Sequence, residues 1–310
     1  MRHDGGHRAG GGGLSGTDTA ALVERERPRL FGVAYRLLGT VADAEDAVQE
    51  TFLRWEQADR AAIENPGGWL TTVLTRFCLD QLRSARARRE AYTGPWLPEP
   101  LVEVADTSAE DPAERVALDE SVSLAMLVVL ETLSPAERAV FVLHDVFGMD
   151  FDEVAATVGR SPAACRQLAS RARRHVEERR PRFDPDAAEQ RRVVAAFLDA
   201  SARGDLQGLL ALLDPSVVLR ADGGGRVRAA TQPVSGAERV ARLLLGGRRW
   251  YPDVAARLVA VNGGTGALVT AGGEVIGAVG VTVAGGRITE IDLVVNPDKL
   301  AGARRVRPEG

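Results

Sequence analysis

Apolar positions recur every three or four residues from Thr19 to Arg89, with little turn chemistry between them, which predicts an all-helical module. The pattern breaks after Arg89: Gly94, Pro95, Pro98, Pro100 and Pro112, interspersed with acidic residues, predict an extended linker. Helical spacing then returns and runs to Arg180, where Pro181 and Pro185 stop it. From about Asp186 two helical stretches end near Gly204 and Leu213. Apolar, β-branched runs follow at Val217 to Leu219, Leu258 to Val261, Ala267 to Thr270, Val275 to Val283 and Ile288 to Val295. Glycine pairs at 263–264, 272–273 and 285–286 suit hairpin turns, so this part reads as helices packed on an antiparallel, curved sheet. The expected organisation is a disordered tail (1–18), a helical module (19–92), a Pro-rich acidic linker (93–117), a second helical module (118–182), an α+β domain (186–300) and a tail (301–310).

Within the second module, Ser134, Pro135 and Glu137 form a capping-box start, and Gly148 ends that helix. Phe151, Val154, Ala155 and Val158 line the apolar face of a second helix, and Gly159 with Ser161-Pro162 turns the chain into a third, giving a helix-turn-helix outline. In the third helix Cys165, Leu168, Ala169, Ala172 and Val176 fall on one arc, and Arg166, Gln167, Ser170, Arg173 and Arg174 on the opposite one. A core face backed by a basic face is what a recognition helix needs: early Gln and Arg reach base edges, later arginines anchor phosphates. An ordinary solvated basic face is the competing reading. The segment resembles region 4 of RNA polymerase sigma factors, whose helix-turn-helix reads the -35 promoter element as double-stranded DNA. The resemblance implies that Ala164, Arg166 and Gln167 face bases and that Ser170, Arg171 and Arg174 line the backbone.

In the first module, Ala44, Val48, Thr51, Phe52 and Trp55 share one helix face, and Asp46, Gln49, Glu50 and Leu53 the other. The stretch Asp43 to Trp55 resembles sigma region 2, and the family's docking helix implies core polymerase binding by Asp46, Gln49, Glu50 and Leu53. Further on, Thr72, Arg76, Asp80 and Arg83 form a stripe at helical spacing, followed by Arg86, Arg88 and Arg89. That segment resembles the promoter-melting helix, and the stripe is assigned to the single-stranded -10 element, where positive charge tracks phosphate. Trp69 is expected to be a core anchor, because Leu70 and Val73 begin an apolar face beside it.

The linker segment Gly94 to Pro100 sets Trp96 and Leu97 among prolines, a pre-extended chain that docks at small entropic cost. Taken alone, Asp222 to Arg226 reads as a glycine turn, and Asn296-Pro297 as the end of the last strand with Asp298 and Lys299 solvated. Together with Trp96 to Pro100, these segments resemble a subgroup of extracytoplasmic-function sigma factors that carry a SnoaL-like, NTF2-like cone domain at the C-terminus. The resemblance makes Trp96, Leu97, Pro98, Asp222, Arg226, Asn296, Pro297, Asp298 and Lys299 interdomain regulatory contacts.

Composition trims the alternatives. A 310-residue chain with 45% hydrophobic and 26% charged residues suits two or three globular domains, and no apolar run approaches a membrane span. The Gly-rich start has no apolar stretch typical of a signal peptide, so a cytoplasmic location is expected. Cys78 and Cys165 lie far apart outside any metal-binding spacing, so no metal or cofactor is implied. A net charge of -4 means that any nucleic-acid contact comes from local basic patches. Two rivals remain: a ligand-responsive DNA-binding regulator, which leaves the region 2 resemblance unexplained, and an enzyme acting through the cone domain, whose cavity is also a candidate site for a small ligand. No histidine or cysteine follows His175, so only Asp222, Arg226, Tyr251, Asp253, Glu274 and Asp292 are available for proton transfer.

Overall fold

The computed structural model describes residues 16–90, 92–103, 123–179 and 186–305. Most of the expected N-terminal tail, the linker beyond residue 103 with Pro112, the prolines at 181 and 185, and residues 306–310 lie outside the described residues.

Helices α1 (Gly16–Leu38), α2 (Val41–Gln57) and α3 (Pro66–Glu90) form the first module. Thr40 caps α2 by accepting from the Asp43 amide, and the predicted apolar stripe Ala44, Val48, Thr51, Phe52 and Trp55 is buried. Trp69 sits edge-on to the fully buried Trp55, ring centroids 5.5 Å apart, as the core anchor expected. A short strand, β1 (Val102–Glu103), follows in the linker.

The second module contains α4 (Leu124–Leu130), α5 (Pro135–Val140), which widens into a π-type turn over Phe141–Val146, α6 (Phe151–Val158) and α7 (Pro162–Arg179). Ser134 and Glu137 form the expected capping box, and Asp150 with Glu153 forms a second. Gly159 ends α6 at a φ of 68°, in the left-handed region that favours glycine, and so sets the tight turn into α7. The two helical modules share one core, in which Leu30, Leu37, Trp55, Leu70 and Leu74 pack with Leu127, Leu130, Leu143, Val154 and Cys165.

The third domain runs α8 (Ala187–Arg203), α9 (Leu206–Leu212), β2 (Leu213–Asp222), β3 (Val234–Ser235), α10 (Ala237–Gly247), β4 (Ala255–Val261), β5 (Gly264–Ala271), β6 (Glu274–Ala284) and β7 (Arg287–Val294). The sheet order is β1-β4-β5-β6-β7-β2-β3. Side chains alternate across it: Leu219, Val279, Val281 and Ile291 join α8 in one core, whereas Val259, Leu268, Ala278 and Val294 line the other face.

Three expectations need correction. The sheet is mixed, because β2 pairs with β7 in parallel after the chain has crossed through α10 and β4 to β6. The linker is not simply a tether: Val102 pairs antiparallel with Val261, so β1 is an edge strand of the third domain's sheet. Ala301–Arg305 forms a final helix, α11, and its Ala303 is buried where a tail was expected.

These departures converge on the outer face of the sheet. There Leu97 of the linker, Leu124 of α4, strand residues of β4 to β7, Leu300 and Ala303 form a separate core that joins all three parts. Gly280 on β6 allows α4 to sit down on the sheet, since a Cβ there would stand 2.8 Å from the Leu124 side chain. A fully buried leucine such as Leu97 contributes about 1.5–3 kcal/mol, so this small core is a substantial adhesive.

Candidate functional site

β2 ends at Asp222. Its even-numbered side chains point away from the domain's own core, so the Asp222 carboxylate emerges on the face covered by the linker. It is fully buried and accepts from four donors: the Tyr92 hydroxyl (2.6 Å), the Leu97 amide (2.9 Å), the Gly224 amide (3.0 Å) and Lys299 Nζ (2.8 Å). Lys299, in the single turn Pro297–Lys299 capped by Asn296, also donates to the Leu97 carbonyl (2.5 Å). Its ammonium lies 3.9 Å from the Trp96 ring centroid and 5.3 Å from that of Tyr92. Asn296 closes the ring by donating to the Tyr92 hydroxyl. A buried ion pair is tolerable here because hydrogen bonds and ring faces replace the lost water. The Tyr92 phenol is pushed well above its usual range by burial and by the neighbouring carboxylate.

Every residue assigned to interdomain contact therefore lies in or beside one node. Leu97 and Pro98 are buried, and Arg226 pairs with Asp298 through two bonds of 3.2 Å at the exposed rim. The glycine turn at 223–225 and the turn at Pro297 exist, but the reading of Lys299 as solvated fails: it is only 6% exposed.

The node has a second half that the residue pattern did not announce. Trp96 lies against Gly39 at the α1–α2 turn, where φ is +81° and a Cβ would meet the indole at 2.7 Å, so only glycine permits this contact. Tyr35 of α1 donates to the Glu99 carbonyl (2.6 Å) and accepts from the Asn262 amide (2.8 Å). Asn262 also exchanges bonds with the Leu101 backbone. The Glu99 carboxylate accepts from the Val41 amide at the N-terminus of α2. Burial raises the Glu99 pKa despite that bond and the nearby Lys299.

Between the helical modules, buried Arg138 of α5 donates to the Arg36 carbonyl (2.9 Å) and pairs with Glu131 at 2.5 Å. Arg76 donates to the carbonyls of Ala156 and Thr157 at the end of α6 (3.0 and 3.2 Å), where the helix dipole favours a cation. Thr72 and Thr157 share a hydroxyl bond of 3.1 Å. The stripe expected to meet the -10 element is thus split: Thr72 and Arg76 are engaged by α6, while Asp80 and Arg83 form an exposed pair with each other.

The remaining assignments lie on open surface. Arg166, Gln167, Ser170, Arg171 and Arg174 are exposed on α7, with Ala164 half-buried; Arg166 lies over the Phe151 ring, 5.5 Å from its centroid. On α2, Asp46, Gln49 and Leu53 are exposed, and half-buried Glu50 pairs with Arg54. The proton-transfer candidates do not converge. Asp222 pairs with Lys299, Arg226 with Asp298 and Asp292 with Arg220, whereas Tyr251, Asp253 and Glu274 are exposed.

Asp292 carries a pH signature. It is buried on β7, and burial outweighs the Arg220 guanidinium at 2.9 Å, with Glu290 adding repulsion, so its pKa rises to about 6. A folded-state pKa above the usual ~4 means that the folded chain holds a proton the unfolded chain releases. The stability from this group is complete below about pH 4 and lost as pH climbs through about 6. Urea midpoints from pH 4 to 7 should show this decline in the natural chain and lack it in Asp292→Asn. Parallel curves would contradict it.

Among the described residues no helix is long and apolar enough to cross a membrane, and no cluster of metal-ligating side chains occurs. The family profile described as Sigma-70 region 2 matches residues 22–88, and that described as Sigma-70, region 4 matches residues 123–176. The chain is 44% identical over 303 residues to the ECF RNA polymerase sigma factor SigJ of Mycobacterium tuberculosis, covering 93% of this chain and 96% of that one. It is 38% identical over 286 residues to the Probable ECF RNA polymerase sigma factor SigI of the same organism, covering 91% and 94%. The crystal structure of M. tuberculosis SigJ superposes with a TM-score of 0.74 at 38% identity, over 91% of this chain and 98% of that one.

Proposed function

The chain belongs to the ECF RNA polymerase sigma factors, and from that premise we propose that its SnoaL-like third domain is a clamp that holds the two promoter-binding modules in a closed arrangement. The observation that carries this reading is the node at Asp222 and Lys299, which ties linker and third domain together beneath Trp96 while Trp96 rests on the first module. Closing the clamp seats α6 on Thr72 and Arg76, so two of the four residues we assign to the -10 strand are occupied until the modules part. Opening frees Thr72 and Arg76 for the strand, and shifts the population toward the promoter-competent state.

In this reading the partners are core RNA polymerase, met by Asp46, Gln49, Glu50 and Leu53 of α2, and promoter DNA. The -35 duplex meets Ala164, Arg166, Gln167, Ser170, Arg171 and Arg174, and the protein works in the cytoplasm where promoters are. We read the third domain as regulatory and not catalytic, because its candidate acids and bases are spread over separate ion pairs and open surface.

Run-off transcription with core polymerase tests the clamp, using the full chain beside a chain ended after Pro297, which removes Lys299. Higher output from the shortened chain at equal protein supports the clamp, and equal output sinks it. Separately, Arg166→Ala should weaken binding of the -35 element by about 1–3 kcal/mol, roughly 5- to 150-fold, and relax its base preference. An equal loss on all DNA sequences would instead mark Arg166 as a phosphate contact.

A further inference from the structure

Four of the exposed large hydrophobic residues, Val227, Leu243, Trp250 and Tyr251, belong to the third domain, and Trp250 is 65% exposed. They occur in a segment, residues 226–251, that has six arginines and one glutamate within a chain of net charge -4. Three of those arginines have structural duties. Arg226 pairs with Asp298, Arg242 with Glu238, and Arg248 caps α8 by donating to the carbonyls of Ser201 and Ala202. Arg228, Arg239 and Arg249 are exposed, and Arg228 stacks over the Trp250 ring, 4.7 Å from its centroid. An exposed tryptophan with a guanidinium over its ring presents a π-face and positive charge together, the combination that holds a single nucleic-acid strand by stacking and phosphate pairing.

Its position supplies the occupant. The chain leaving α3 passes directly under this loop: Gly225 lies against Thr93, Gly94 packs on Ala230 and Thr231, and Tyr92 bonds Asp222. From Arg89 to Tyr92 is three residues, a reach of roughly 10 Å at most. The basic C-terminal end of α3, which carries Arg83, Arg86, Arg88 and Arg89 in its sequence, therefore runs into the loop bearing Arg226 and Arg228.

We propose that the third domain carries a single-strand DNA contact of its own, with bases stacking on Trp250 and Tyr251 and phosphates meeting Arg228 and Arg249, continuing the path of a strand that leaves α3. The inference rests on the assignment of α3 to single-stranded DNA for its direction, and its test separates the two. A 30-nucleotide single strand bearing 5-iodouracil at alternate positions is photo-crosslinked to the full chain, and the crosslinked peptides are mapped by mass spectrometry. The expected result is crosslinking both within residues 72–90 and within 248–254, with Trp250→Ala/Tyr251→Ala abolishing only the second. In anisotropy titrations between 50 and 200 mM salt, Arg228→Ala/Arg249→Ala should flatten the log-affinity slope by roughly 1.4, about 0.7 for each lost phosphate contact. Circular dichroism confirms that these surface variants fold. Crosslinks at 248–254 without any in 72–90 uphold the contact and sink the α3 assignment. No crosslink at 248–254 overturns the proposal, as does an equal affinity loss of the arginine variant for single strand, duplex and heparin, which would mark a general polyanion surface.

Discussion

Replacing Lys299 by alanine is expected to cost about 3–5 kcal/mol of third-domain stability, because it leaves the buried Asp222 carboxylate without its counter-ion. Tyr92 and the amides of Leu97 and Gly224 still donate to that carboxylate, yet none of them carries a charge. Lys299 is also the only lysine in a chain whose other strong bases are all arginine. The geometry explains the exception. A compact ammonium fits between Asp222, the Leu97 carbonyl and the Trp96 face, where the planar guanidinium fork does not. Urea unfolding followed by tryptophan fluorescence measures the loss. Lys299→Arg should recover little of it, and the double variant Asp222→Asn/Lys299→Met should recover most, since removing both charges removes the desolvation cost together with the attraction. A single-variant loss no larger than about 0.5 kcal/mol, the worth of an exposed helical pair such as Arg242–Glu238, would mean that the node is not held by charge.

Arg138→Ala should separate the two helical modules. Arg138 is 2% exposed, and its guanidinium spans from Glu131 in its own module to the Arg36 carbonyl in the other. Its removal takes away a buried charge-assisted bond across the boundary and leaves Glu131 without this cation, a loss of about 3–5 kcal/mol. The functional sign is opposite to the structural one. With α6 released from Thr72 and Arg76, affinity for a -10 single strand should rise even as the melting temperature falls. Hydrogen exchange at the α6–α3 contact reports the opening directly, with amides of α6 losing protection before those of α2. A variant that melts earlier yet binds the strand no better would show that the closed packing does not guard the promoter face.

Periodicity alone recovered the two helical modules with their buried stripes, the capping box at Ser134 and the helix-turn-helix, because each depends on neighbours within a few residues. It missed α10, although Val240, Ala241, Leu244 and Leu245 line one face of that short helix, and it read β2 and β7 as antiparallel, since strand direction is set by the distant path of the chain. The proline setting of Trp96 and the turn at Asn296-Pro297 were legible locally, and only their interdomain role came through the resemblance to a family, but nothing local marked Tyr35, Tyr92, Glu99, Asn262 or Arg138. Asn262 has the sequence of an ordinary hairpin turn, and Tyr35 that of one more residue on an apolar helix face.

What the amino-acid order determined by itself is the set of surfaces: one helix, α7, with a basic face, another, α2, with an acidic face, and a sheet able to bury one side. What only the tertiary structure decided is which of those surfaces are spent on each other. Burial of Lys299 beneath Trp96 and capture of Arg76 by the carbonyls of α6 join groups 203 and 80 positions apart, counting from 96 to 299 and from 76 to 156. Desolvation and hydrogen-bond geometry reward such contacts only once the whole chain has closed, so no local pattern carries their signature.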